Sequence, residues 1–301
     1  MKHYDIMFVG HMCYDEIQPF QGETRVAPGS AILCGAVVPA RLGKKVAAVT
    51  LMAPQDESIL EELRRVGVEV VVIPTADTSY VQVIHPSDNV DERVLVFPKN
   101  AGLFKLCDMP AITADYVHLA GISDQEFTLE FMNGLKAKGC SLSVDMQSFV
   151  RQIHPVSKEI TFGDVTDKKQ IVGLMSKVKL DVVEAEVLTG TSDLEKAAIM
   201  IQEWGCPEVV ITRSDGVLAR HAGRTYFESF TNRSVIGRTG RGDTTFAAYL
   251  SWRMDHPVSE SLKFAAALVS IKMESIGPFS GTLDDVFRRM ALPRPTKTGG
   301  T

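Results

Sequence analysis

Three glycines, Gly237, Gly240 and Gly242, alternate with polar residues between Ile236 and Asp243, and the run from Phe246 to Trp252 that follows favours a helix. Glycine admits backbone geometries that a Cβ blocks. Consecutive free N–H groups at a helix start form an anion site, reinforced by the helix dipole. Gly240, Arg241 and Gly242 can therefore aim N–H donors at a phosphate whose negative charge grows during transfer. Asp243, at or just inside the helix N-terminus, can accept a proton from a substrate hydroxyl as general base. A glycine-rich turn with Asp243 as its N-cap accounts for the same residues without any chemistry.

The elements that must position this loop follow an α/β rhythm. Asp5–Gly10 reads as a buried strand, and His11–Asp15 follow its carboxyl end, where open α/β sheets bind ligands. Ser30 is a good N-cap for a helix that runs to Leu42 and stops at Gly43. Strands are expected at 46–51 and 68–73, with a short amphipathic helix over 58–66 between them. Alternation over Ser79–His85 and Arg93–Phe97, joined by Pro86–Asp91, predicts a hairpin that breaks the rhythm. Beyond it come strands at 115–121 and 140–145, helices at 125–138 and 166–178, then a helix over 194–204. The strand 207–212 turns at Thr212–Gly216 into a β pair reaching Phe230. A last helix over 258–275 closes at Gly277-Pro278. Strands alternating with helices specify a parallel sheet with helical crossovers.

Bulk properties narrow the classes. The 301 residues suit one large domain, with 1–292 as that domain and 293–301 as a flexible tail. A net charge of -5 gives no case for nucleic acid or an anionic membrane. No apolar run is long enough to span a bilayer. The start, Met1-Lys2-His3-Tyr4-Asp5, reads as no secretory signal. The five scattered cysteines show no metal-ligand spacing and suit reduced thiols, so the expected location is cytoplasmic. There is no Walker P-loop and no dinucleotide fingerprint, since His11-Met12-Cys13 follow Gly10.

The loop resembles the second signature of the ribokinase-like (PfkB) family of small-molecule kinases, Asp-x-Thr-Gly-Ala-Gly-Asp followed by Thr and a helix. Thr239, Gly240, Gly242, Asp243 and Thr244 match, while Gly237 stands for the first Asp and Arg241 for the Ala. Residues 29–43 are similar to the first signature, Gly-Gly-x-x-x-Asn-x-Ala with a closing Leu-Gly. There Gly29, Ala36, Leu42 and Gly43 fit, Ser30 replaces the second Gly, and Cys34 replaces the Asn. Glu184 occupies the Glu of the Asn-x-x-Glu motif, with Asp181 for the Asn. Thr212 and Gly216 fit a Thr-x-x-x-Gly nucleotide loop.

The resemblance implies a three-layer α/β/α fold with a mostly parallel central sheet and a small β lid from about 13–28 and 76–101. It makes Asp243 the catalytic base and 240–242 the anion hole. Asp15 becomes the grip on substrate hydroxyls, beside Gly29, Ser30, Cys34 and Gln147. Thr212, Gly216, Thr239 and Ala266 fall to the nucleotide, Ala266 standing where the family often has an Asn near the adenine. Glu184 organises Mg²⁺ through water, with Asp181 as a weaker partner; a solvated acidic helix start is the plainer reading. The implied activity moves the γ-phosphate of ATP to a hydroxyl of a small sugar or polyol. Asp145-Met146-Gln147-Ser148-Phe149, together with Thr-Gly-Arg-Gly-Asp, is similar to an inositol-kinase-like branch, which brings in cyclitols. A nucleoside kinase is the alternative, with Tyr14, Phe20, Tyr80 and Phe97 as stacking candidates. An inactive ligand-binding relic is the alternative of another class. Lid edges in the family often pair, so a homodimer through the lid is also implied.

Overall fold

A computed structural model describes residues 2–89 and 92–291. The 293–301 tail and the end of the Pro86–Asp91 connection lie outside the described residues. In chain order, β1 (Lys2–Val9), β2 (Cys13–Gln18) and β3 (Arg25–Gly29) precede α1 (Ala31–Arg41) and β4 (Val46–Met52). A 3-10 stretch over Pro54–Leu60 leads into α2 (Glu61–Arg65), β5 (Glu69–Pro74), β6 (Ser79–Ile84) and β7 (Val94–Lys99). Next come β8 (Ile112–Leu119), α3 (Leu129–Ala137), β9 (Ser141–Asp145), α4 (Gln147–Val150), β10 (Arg151–Ile153) and β11 (Ile160–Phe162). The chain continues through α5 (Lys168–Leu174), β12 (Lys177–Asp181), α6 (Val182–Thr189), α7 (Leu194–Glu203), β13 (Glu208–Thr212), β14 (Gly216–His221) and β15 (Arg224–Ser229). It closes with α8 (Arg241–Arg253), α9 (Val258–Met273) and α10 (Leu283–Met290).

Among the described residues one nine-stranded sheet has the order β15-β14-β13-β12-β9-β8-β1-β4-β5. It is parallel from β13 to β5, and β14 and β15 add antiparallel edges. Every residue of β4 is buried, as a strand covered on both faces requires. Along β1 the side chains alternate. Ile6 and Phe8 join a core with Phe246, Tyr249 and Phe264 of α8 and α9. Met7 and Val9 face a second core with Phe131 of α3, Ile171 of α5 and Ile201 of α7. Full burial of each such side chain stabilises the fold by about 1.5–3 kcal/mol. These are the layers of an α/β/α sandwich. No helix among the described residues is long and apolar enough to cross a membrane.

A second sheet, β3-β2-β6-β7, is built from the two segments expected to form a lid. β6 and β7 form the expected antiparallel hairpin, while β2 and β6 pair in parallel, a long-range contact. The pair β10–β11 reaches it through a bridge between Val96 and Glu159.

Several expected elements need correction. The helix placed over 166–178 ends at Leu174, and Lys177–Asp181 is a central strand. Its alternating lysines, Lys177 and Lys179, are both buried. The helix placed from 125 begins at Leu129, capped by Thr128, because the Glu126 carboxylate accepts from the amides of Ile122 and Ser123 and holds the preceding loop. Over 58–66 the helix is a 3-10 stretch that becomes helical only at Glu61.

Candidate active site

The carboxyl ends of β1, β9, β12 and β13 open on one cleft, next to the point where successive strands leave β1 in opposite directions, the place where open sheets bind ligands. Helix α8 starts at its floor. Gly240 is the N-cap with φ 75°, a left-handed conformation that suits glycine. That φ closes a turn in which the Arg241 amide donates to the Arg238 carbonyl at 3.0 Å. The anion hole expected at 240–242 is thereby corrected: the Arg241 amide is committed to the turn. Among the described residues the amides of Gly240, Gly242 and Asp243 have no acceptor, as the first turn of a helix leaves them.

The cleft encloses about 340 Å³ and is lined by Asp15, Gly29, Ser30, Cys34, Gln147, Asp181, Thr212 and the loop 239–243. This volume suits a small-molecule site. Asp15 reaches in from β2. Burial, reinforced by Asp243 across the cleft, pushes its pKa up to about 6. Ser30 caps α1 by accepting from the Leu33 amide at 3.0 Å, and holds φ 139°, a backbone that favours glycine. The glycine that the family pattern has at this position would hold that φ without strain. Burial, then Asp243, pushes the Cys34 thiol up to about 12, so it stays protonated. The Gln147 amide nitrogen donates to the Gly121 carbonyl at 2.8 Å, which orients the side chain.

Positive charge dominates the remaining wall. Arg25, Arg93, Arg151, Arg238 and Arg241 line the cleft with Lys179 and Lys272. An adjoining hollow shares Arg93, Asp181, Arg238 and Arg241 and adds Arg213. Much of the Arg93 side chain meets solvent, but desolvation of its charged end and the like charges of Arg151, Arg238 and Arg241 lower its pKa. Like charges gathered this way favour a polyanion between them.

Behind the wall lies a buried ionic cluster. Lys179 contacts Asp145 at 2.9 Å and Glu184 at 3.7 Å. Burial opposes the Lys179 charge, but Asp145 and Glu184 outweigh it and raise its pKa. Burial raises Asp145 and Glu184 in spite of that ammonium. One ammonium cannot fully offset two buried carboxylates, so the cluster tends to hold a proton. Asp181 and Glu184 form a reciprocal capping box on α6. Glu184 is fully buried and does not line the cleft; its Oε1 has no hydrogen-bond partner, and Arg151 stands 3.9 Å away. Asp181 does line it.

Two expected nucleotide residues lie elsewhere. Ala266 is buried in the α8–α9 core, because the helix face it occupies packs inward. Gly216 lies under β15, where a Cβ would stand 2.4 Å from the Glu228 carbonyl, so packing rather than a ligand demands the glycine. Lys179, Lys272, Arg93 and Arg25 were not singled out from the sequence. Period-two lysines in Lys177-Val178-Lys179-Leu180 are the signal that identifies β12; the others carry no local signal.

The chain matches the pfkB family carbohydrate kinase over residues 4–284. It is 25% identical over 290 residues to a cytidine kinase of Thermococcus kodakarensis, covering 93% of this chain and 99% of that one. A solved pyrophosphate-dependent kinase of the ribokinase family, complexed with a pyrophosphate analog and myo-inositol, is 30% identical with a TM-score of 0.86, covering 94% of this chain and 99% of that chain. Arabidopsis thaliana ribokinase with ribose and ATP shares the fold at 18% identity and a TM-score of 0.75, covering 97% of this chain and 100% of that one. With that family model matching most of its length, the chain belongs to the pfkB family of carbohydrate kinases.

Proposed function

We propose that the protein transfers a phosphoryl group from inorganic pyrophosphate to a hydroxyl of a small polyol of the cyclitol class. The observation that carries this reading is the meeting of Asp243 and Asp15 with a cluster of arginines in one cleft. Asp243 takes the hydroxyl proton as the acceptor oxygen attacks the terminal phosphorus. The new O–P bond forms as the P–O–P bridge breaks, and orthophosphate leaves with the bridging oxygen. The amides of Gly240, Gly242 and Asp243 stabilise charge on the transferring group. Arg93, Arg238 and Arg241 hold the remaining phosphate oxygens. Asp15 and Gln147 orient the acceptor's hydroxyls.

The residues present fit a hydrated Mg²⁺. Asp181 faces the cleft and the unpartnered Glu184 oxygen lies behind it. Bound there with the donor, the ion would neutralise phosphate charge.

Support for a polyol over a nucleoside comes from the lining. None of Tyr14, Phe20, Tyr80 and Phe97 lines the cleft, so a base has no ring to stack on there. ATP is the second reading for the donor. It is favoured by Ile236 and Ile276, which stand 67% and 73% exposed at the cleft rim as apolar faces for an adenine. The test measures acceptor phosphorylation over cyclitols, sugars and nucleosides, with pyrophosphate and with ATP. Turnover of a cyclitol with pyrophosphate is expected. Turnover with ATP alone sinks the donor half, and turnover of nucleosides alone sinks the acceptor half. Binding without any turnover favours the inactive relic.

A further inference from the structure

Lys272 is 1% exposed on the last turn of α9. Burying an ammonium is costly unless its hydrogen bonds are met. Among the described residues no carboxylate lies within ion-pair distance of it. Its Nζ donates instead to the carbonyl oxygens of Gly237 and Thr239, both in the loop that leads into the anion hole. The same loop is held by its backbone, since the Gly237 amide donates to the Met273 carbonyl at 2.9 Å. A Cβ at Gly237 would stand 1.8 Å from the Ser275 carbonyl, so the family's Asp cannot be accommodated at this position without moving the loop. Burial lowers the Lys272 pKa, and Cys34 and Asp243 are the titratable groups that oppose the shift.

Carbonyl oxygens converging on a single point form a cation site, because their dipoles replace a hydration shell. Here the cation is attached to the chain. We propose that Lys272 is a positioning residue for phosphoryl transfer, a built-in cation that holds the 237–240 segment so that the amides of Gly240, Gly242 and Asp243 face the phosphoryl group. The inference rests on reading the cleft as a phosphotransfer site. It makes the wild-type rate independent of added monovalent cations.

The experiment compares wild type, Lys272→Met and Lys272→Ala with pyrophosphate and the best acceptor. Lys272→Met is expected to lower kcat by about tenfold to a hundredfold, short of the ~10²–10³ for deleting an oxyanion donor. Acceptor KM is expected to stay within about threefold, because the acceptor is held by other residues. Ammonium, methylammonium or potassium is expected to restore at least about a third of the lost rate to Lys272→Ala, since the vacated carbonyls can take a free cation. Wild type is expected to keep its rate when tetramethylammonium replaces potassium and sodium. A wild-type rate that rises several-fold with potassium overturns the proposal, whether or not the variants fold. So does a folded Lys272→Met with unchanged kcat, or a folded Lys272→Ala that no cation rescues. If wild type turns over no acceptor, the functional reading fails by itself. The Lys272 proposal then stands or falls on pyrophosphate affinity by calorimetry, which Lys272→Met must weaken at least about tenfold.

Discussion

Two buried ionic clusters sit at opposite ends of β12, and they are finished differently. At the end away from the cleft, Glu208 accepts from the Tyr249 hydroxyl at 2.8 Å and from Arg253 Nε at 3.2 Å, with Lys177 at 4.0 Å and His221 at 3.3 Å. Burial, with Glu208 beside it, raises the Tyr249 pKa and keeps it a donor. At the cleft end, Lys179 serves Asp145 and Glu184 together, and both Glu184 Oε1 and Arg151 Nε are left without a hydrogen-bond partner. A satisfied buried cluster ties strands and helices together. An under-satisfied one beside a cavity retains interaction energy for a ligand. The same strand thus carries a satisfied cluster at one end and an under-satisfied one beside the candidate site at the other.

The comparison can be broken most strongly at the cleft. Asp243→Asn is expected to lower kcat by at least about 10², the lower bound for general-base catalysis, while Tm and pyrophosphate binding by calorimetry stay near wild type. Near-normal turnover in that variant removes the base from the mechanism. Glu208→Ala is expected to do the opposite. Removing the buried carboxylate that Tyr249 and Arg253 donate to, beside the buried Lys177 ammonium, costs about 3–5 kcal/mol of stability in denaturant unfolding. The activity of the folded fraction is expected to be unchanged, and a selective kcat loss would erase the distinction between the two ends.

A smaller effect is expected at the arginines. Arg238→Met is expected to raise pyrophosphate KM by about tenfold, the scale of one charge-assisted contact, with acceptor KM unaffected. An equal rise in both would place Arg238 outside the donor site.

The mildest test is pH. Burial and then Asp243 raise Asp15 from 3.8 to about 6, so the folded chain binds this proton more tightly than the unfolded one. Its contribution to stability is therefore largest below about 4 and falls as pH rises toward about 6. Acceptor kcat/KM is expected to rise over the same limb as the carboxylate ionises. Asp15→Asn is expected to remove both slopes, read from unfolding and kinetics between about pH 4 and 7. A slope that persists in the variant assigns it to another group.

Much of this architecture was legible because its signals are local. Val46–Met52 is apolar apart from Thr50, and Ser79–Ile84 alternates. The glycines and Asp243 around the start of α8 mark, in their own short stretch, the loop that floors the candidate site. Errors fell where a side chain's environment reversed its usual meaning. Lys177 and Lys179 are charged residues that the fold buries, and the strand that carries them was missed, its first residues assigned to a helix. Ala266 and Gly216 occupied positions of a familiar pattern, but packing claims them. The commitment of the Arg241 amide depends on the φ of Gly240, a turn conformation that composition does not specify.

The order of residues by itself determined the α/β frame, the hairpin of the second sheet and the loop that carries Asp243, because periodicity and turn chemistry act over a few neighbours. Only the tertiary structure decided that Arg93 of the β6–β7 region, Arg151 of β10, Lys179 of β12 and Lys272 of α9 meet around that loop. Their convergence depends on strand order and on desolvation. Both arise when distant segments pack, and no window of sequence contains them.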